Sequence, residues 1–177
     1  MRFPRATWPA NQKADSIKLV GRAHWRHLDS HGDILAEGDD PNSLSLQGAD
    51  YMLNVALTHG TQLAANALYM GLYTTTPTTS YTAAIATTNE LTGATGYARA
   101  QISSWTVSQV TNWRATTPQI TFTNSGGGAW TAVTGIAFVD AASGNGGTVG
   151  FSFIALSTSR TLNAGDSLQV TYYIQLS

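Results

Sequence analysis

His24, His27 and His31, with Asp29 and Asp33, are the one cluster in this sequence built from metal-ligand side chains. On an extended strand His27, Asp29 and His31 would share a face, and a structural metal site needs ligands that converge in fixed geometry. Ser30-His31-Gly32, however, has the composition of a turn, and a turn there breaks the alignment. The reading is therefore a solvated hairpin anchored by Trp25, with no metal site. Because imidazole titrates near neutrality, a pH-sensitive contact is the other role open to these histidines.

The remaining candidates for chemistry fail on spacing. Gly165-Asp166-Ser167-Leu168 spells the block of a family of serine esterases, in which an Asp and a His follow much later. Here no histidine follows the serine, and a hydroxyl without a base is a poor nucleophile at neutral pH. A Gly-Asp turn entering a strand is the expectation. Glu37, Asp39 and Asp40 do not have the spacing of a calcium loop, and Gly38-Asp39-Asp40 alone, in a chain of this length, is no polymerase motif. Glycoside hydrolysis needs two acids flanking a cleft, and the C-terminal part offers only Glu90, Asp140 and Asp166. The sequence nominates no catalytic residue, cofactor or metal.

Aromatic residues are the better candidates. Trp105, Trp113 and Trp130, with Tyr69, Tyr73, Tyr81, Tyr97, Tyr172 and Tyr173, have two uses. They can stack on sugars, or fill a core or interface, where Trp and Tyr bury large areas. Arg114, beside Trp113 in an almost uncharged region, is a candidate inter-subunit anchor. Phe3 and Trp8 lie in a segment where Pro4 and Pro9 exclude a helix interior or a ladder, so they are candidates for insertion into a neighbouring subunit. With Trp25 these make five interface candidates: Phe3, Trp8, Trp25, Trp113 and Arg114.

The charge distribution supports an assembly role. From Tyr51 to the C-terminus only Glu90, Arg99, Arg114, Asp140, Arg160 and Asp166 are charged. A free-standing soluble domain is roughly a quarter charged. A surface of Thr, Ser, Ala and Gly with scattered aromatics dissolves, yet is inexpensive to desolvate against a neighbour. The formal net charge is -1 and no basic stripe is present, which argues against nucleic acid as a partner. There is no cysteine, and no apolar run approaches the roughly 20 residues that span a bilayer. No apolar segment follows the basic start, so the expectation is a protein made in a cytoplasm that reaches its place by assembly.

Elements that would position these residues follow from periodicity. Residues 1–15 form an extended arm, and residues 16–177 a single domain. Within it, about 16–37 form a hairpin around Asp29-Ser30-His31-Gly32-Asp33, and Gly38-Asp39-Asp40-Pro41-Asn42 ends the pattern. Leu46, Ala49, Leu53, Ala56 and Leu57 recur on one helical face. This predicts a helix over about 46–59, capped by Ser45 and Gly60, with that face packed on a sheet. Residues 67–73 read as a buried strand, and Thr74 to Thr88 as a long surface loop. Strands are expected at 97–102, 119–123, 132–139, 148–156 and 168–176, separated by Gly- and Asn-rich turns. In the last, Leu168, Val170, Tyr172, Ile174 and Leu176 share one face, and Gln169, Thr171, Tyr173 and Gln175 the other. The fold class is mainly β: an antiparallel β-sandwich, jelly-roll-like, with one packed helix.

The order of short motifs then resembles a known group. Asp29 to Gly32, Asn42, Gly48-Ala49-Asp50-Tyr51-Met52-Leu53-Asn54 and Leu68-Tyr69-Met70-Gly71-Leu72-Tyr73 come first. Asn89-Glu90-Leu91-Thr92-Gly93 with Gly96-Tyr97-Ala98-Arg99, a Trp130-containing strand, and Arg160-Thr161-Leu162-Asn163-Ala164-Gly165-Asp166 follow. This order resembles virion structural proteins of tailed bacteriophages, of the capsid decoration, cement or tail-fibre type, over roughly residues 22–177. The resemblance implies a virion location, no catalytic residues, and a homo-oligomer. As a cement subunit it would bridge capsomers, with the major capsid protein and copies of itself as partners. The alternative it implies is a tail-fibre or baseplate adhesion module that binds host surface glycan.

Overall fold

A computed structural model describes residues 19–58, 68–75, 78, 90–91, 94–109, 111–143 and 149–176. The arm expected over residues 1–15, with Phe3 and Trp8, lies outside the described residues, as does nearly all of the loop expected from Thr74 to Thr88.

Strand β1 (Leu19–Leu28) and strand β2 (Ile34–Leu44) pair antiparallel across a turn. Asp29 Oδ1 accepts from the amides of His31 (2.8 Å) and Asp33 (2.9 Å). Those backbone bonds, that of Asp33 foremost, hold the Asp29 carboxyl below its usual range. Gly32 has φ 92°, where a side chain is strained. β2 does not stop at Glu37. It runs through Pro41, still opposite Arg22 of β1, and from Asn42 to Leu44 it pairs instead with strand β9 (Gly150–Leu162).

Helix α1 (Leu46–Thr58) is where expected, but its packed face is not. Ser45 caps it, its Oγ accepting from the Gly48 amide at 2.8 Å and donating to the Phe151 carbonyl at 3.1 Å. Gln47 Oε1 accepts from the Gly150 amide at 2.6 Å. Gly48 lies so close to this strand that a Cβ would sit 2.0 Å from the Phe151 oxygen. The face that turns inward is therefore Gly48, Tyr51, Met52 and Val55, and Tyr51 meets the Phe151 ring edge-on. Leu46, Leu53 and Leu57, the face expected to pack, are 70%, 59% and 73% exposed. Both sets have helical spacing; close backbone approach and three capping-turn hydrogen bonds chose between them.

The remaining strands are β3 (Tyr69–Tyr73), β4 (Ala100–Gln101), β5 (Thr106–Gln109), β6 (Trp113–Thr116), β7 (Ile120–Thr123), β8 (Trp130–Val139), β9 (Gly150–Leu162) and β10 (Ser167–Leu176). β5 and β6 were not expected, since Thr106–Gln109 holds one apolar residue and shows no alternation. The sheet is antiparallel, in the order β4-β3-β8-β9-β2-β1-β10-β6-β5, with β7 also on β10. Mainly β, antiparallel, with one helix: that much of the expected architecture is present, as a half-barrel. β2 is shared between its two halves. One core fills the concave side, where Ala23, Trp25, Val170 and Tyr172 meet Met70, Leu72, Ile136, Phe138 and Ile154. The alternation expected of the last strand holds, with Leu168, Val170 and Tyr172 fully buried.

Candidate functional site: an arginine–tyrosine groove on the outer sheet face

The convex face of β2, β1, β10 and β6 carries the side chains that alternate away from the core. Two rows cross it in register. Arg114, Gln175 and Val20 are paired neighbours, as are Thr116, Tyr173, Arg22 and Pro41. Between them lies a groove of about 460 Å³, lined chiefly by Val20, Arg22, Pro41, Arg114, Tyr173 and Gln175. That volume is within the range of small-ligand sites.

Arg114 is held from two sides. Its guanidinium lies over the Tyr173 ring, 4.1 Å from the centroid. Its Nη2 and Nε donate to Gln175 Oε1 at 2.7 Å and 3.1 Å. Neither partner is an acid. Arg22 is different: its Nε donates to Asp39 Oδ1 at 2.7 Å and its Nη2 to the Asp39 carbonyl at 2.9 Å. The Asp39 hydrogen bond and charge raise the Arg22 pKa above its ordinary value. Among the described residues the groove therefore combines one neutralised arginine, one arginine bound to neutral groups, a phenol, an amide and two apolar flanks.

Of the other interface candidates, Trp25 is in the core, 1% exposed, which corrects its assignment as a surface anchor. It stands on the inward register of β1 with Gly21, Ala23 and His27. Its Nε1 donates to Asp40 Oδ2 at 2.7 Å, and its ring lies across Gly38, where a Cβ would be 2.5 Å from Cζ2. Trp113 is 54% exposed but does not join Arg114. As sequence neighbours on a strand they point to opposite faces, and Trp113 pairs with Gln109 at the sheet edge.

The histidines do not converge. His27 is buried against Asp166, Nε2 to Oδ2 3.3 Å, while His31 is at the exposed turn and His24 on the convex face. Among the described residues no group of three His, Asp or Glu could hold a metal ion. The Gly-Asp-Ser-Leu block is a turn entering β10: Asp166 Oδ2 accepts from the Asn163 amide at 2.8 Å, and Gly165 has φ 89°.

Sequence reasoning missed a buried cluster between β3 and β4. Arg99 Nε and Nη2 donate to Glu90 Oε1 and Oε2 at 2.8 Å and 2.7 Å, and Tyr97 donates to Oε1 at 2.8 Å. Tyr97 in turn accepts from the Leu72 amide at 2.9 Å. Burial opposes the Arg99 charge, but Glu90 more than offsets it and the pKa is raised. Burial, reinforced by the Glu90 charge, drives the Tyr97 phenol far above its ordinary range. The signal lay in a near-uncharged segment holding one acid and one base nine residues apart. The groove was half legible: Tyr173 and Gln175 share the outer face by alternation, but without β6 nothing placed Arg114 beside them.

No curated protein is a significant match to the sequence. A family model described as podophage GP4 fiber I protein gp80 matches residues 43–174, from the end of β2 to within β10. Arg114 and Tyr173 fall inside the match, and Val20, Arg22, Pro41 and Gln175 outside it. Nothing in this match supports the capsid-cement reading, whereas the fibre alternative fits it. The chain belongs to the podophage GP4 fiber I protein gp80 family and is a tailed-phage virion structural protein of the tail-fibre type.

Proposed function

We propose that this chain is a fibre module that contacts host surface glycan through the convex face of its half-barrel. The match of residues 43–174 to a fibre family carries the reading. The groove around Arg114 and Tyr173 supports it, as a cavity whose polar and aromatic groups face outward together. The module acts by binding, not catalysis. The carboxylates of its C-terminal part serve as structural partners: Glu90 to Arg99, Asp166 to His27, and Asp140 to the Val149 amide at 2.8 Å.

It works as a homo-oligomer, made in the host cytoplasm and reaching the virion by assembly. The β5 edge supports association with a second copy: all four residues are exposed and uncharged, and an unprotected edge is a pairing template. Val107 of β5 and Trp113 of the adjoining β6 extend the concave apolar face beyond the core. Two half-sheets facing one core through β2 also favour a sandwich-like reading of the fold.

Immunogold electron microscopy of intact virions, with antibody against the purified chain, tests this. Label at the tail or its fibres is the expected result. Dense label over the head would return the chain to capsid decoration, with the major capsid protein as partner.

A further inference from the structure

We propose that the Arg114–Tyr173 groove binds the carboxylate of an acidic sugar, such as a uronic acid in a surface polysaccharide. This rests on the glycan-contact reading above and names the chemical class of ligand.

The argument begins with arginine pairing. Arg22, Arg26 and Arg99 each face an acid: Asp39, Glu37 and Glu90. Arg160 lies over the Trp25 ring. Arg114 alone lines the groove with no described carboxylate against it. Of the five N–H groups of a guanidinium, those on the Nε–Nη2 edge engage Gln175 Oε1. The Nη1–Nη2 end keeps two parallel N–H groups, the fork that grips a carboxylate in bidentate fashion. The stack on Tyr173 fixes the guanidinium plane before a ligand arrives, which reduces the ordering cost of binding.

Charge selects the class. Arg22 and Asp39 cancel at the rim, so among the described residues the groove offers a single positive charge. A nucleic-acid backbone would need several successive cations, and Asp39 would repel its next phosphate. One carboxylate per sugar repeat matches one arginine. Val20 and Pro41 provide apolar flanks for the C–H face of a pyranose ring, and the Tyr173 hydroxyl and Gln175 amide provide hydrogen-bonding groups for its hydroxyls.

Isothermal titration calorimetry of the full chain tests this with three probes: trigalacturonate, the neutral galactotriose, and inorganic phosphate. Trigalacturonate is expected to bind, with affinity falling as salt rises, and galactotriose to bind on the order of tenfold more weakly or worse. Arg114→Gln should abolish that preference. Gln175→Glu is the sharper variant, because it places a carboxylate where Oε1 already accepts from Arg114. The fold should keep or gain thermal stability while trigalacturonate binding is lost. Equal binding of the two trisaccharides, phosphate binding as tight as trigalacturonate, no binding of any probe, or a Gln175→Glu variant of full affinity would each overturn the proposal. Attachment of the labelled chain to host cells reports separately on glycan contact. If attachment persists while trigalacturonate fails, the acidic-sugar inference falls and the adhesion reading stands.

Discussion

Phe138 on β8 and Tyr172 on β10 meet with ring centroids 4.3 Å apart, although β9, β2 and β1 lie between their strands in the sheet. A flat sheet would keep these rings far apart; the contact exists because the sheet folds over at β2. The Tyr172 hydroxyl also meets Ser152 Oγ at 3.1 Å and accepts from Asn42 Nδ2, tying both halves to the corner. Phe138→Ala should cost about 3–5 kcal/mol. Tyr172→Phe keeps the ring contact but leaves buried polar partners, and should cost about 1–3 kcal/mol. Urea denaturation of the two variants checks the ranking; equal losses would show that the ring contact is not what joins the halves.

Buried and exposed ion pairs should behave differently. The side chains of Glu90 and Arg99 are 3% and 1% exposed. Removing one partner of such a pair leaves an uncompensated charge, so Glu90→Gln should lose about 3–5 kcal/mol. Asp39→Asn, at the exposed Arg22 pair, should change stability by about 1 kcal/mol or less. The same denaturation assay compares them directly.

Alkaline pH should open the molecule from the Tyr97 side. Burial first, then Glu90, raises the Tyr97 pKa, and burial raises that of Tyr172. A phenol with a raised folded pKa contributes stability that is complete below its unfolded value of about 10, and that is lost as pH climbs above it. Ultraviolet titration should therefore show these two tyrosines ionising only with unfolding. Tyr97→Phe should flatten the fall in stability above that pH, and an unchanged slope would refute this origin.

Helix docking should depend on the missing side chain at Gly48. A Cβ there meets the Phe151 backbone oxygen, which cannot swing aside. Gly48→Ala raises intrinsic helix propensity, yet overpacking should make it destabilising by about 1–3 kcal/mol. Leu53→Ala, on the exposed face, should be nearly neutral in the isolated chain. A stabilised Gly48→Ala would show that the helix does not need this close approach.

Local chemistry alone determined several features: the Asp29–Gly32 turn, the Ser45 cap, the helix span, the two-faced last strand and the Gly165 turn. Each depends on residues a few positions apart, where turn preference and period speak directly. The short-motif order was enough to indicate a phage virion protein. Tertiary structure decided the rest, because its causes are far apart in the chain. Which helix face packs depended on a carbonyl of Phe151, about a hundred positions from Gly48. Trp25 became core through inward register with Gly38 and a hydrogen bond to Asp40. Trp113 and Arg114, adjacent in sequence, were sent to opposite faces by strand alternation. Arg114 found Tyr173 and Gln175 only when β6 paired with β10, and that register made the groove.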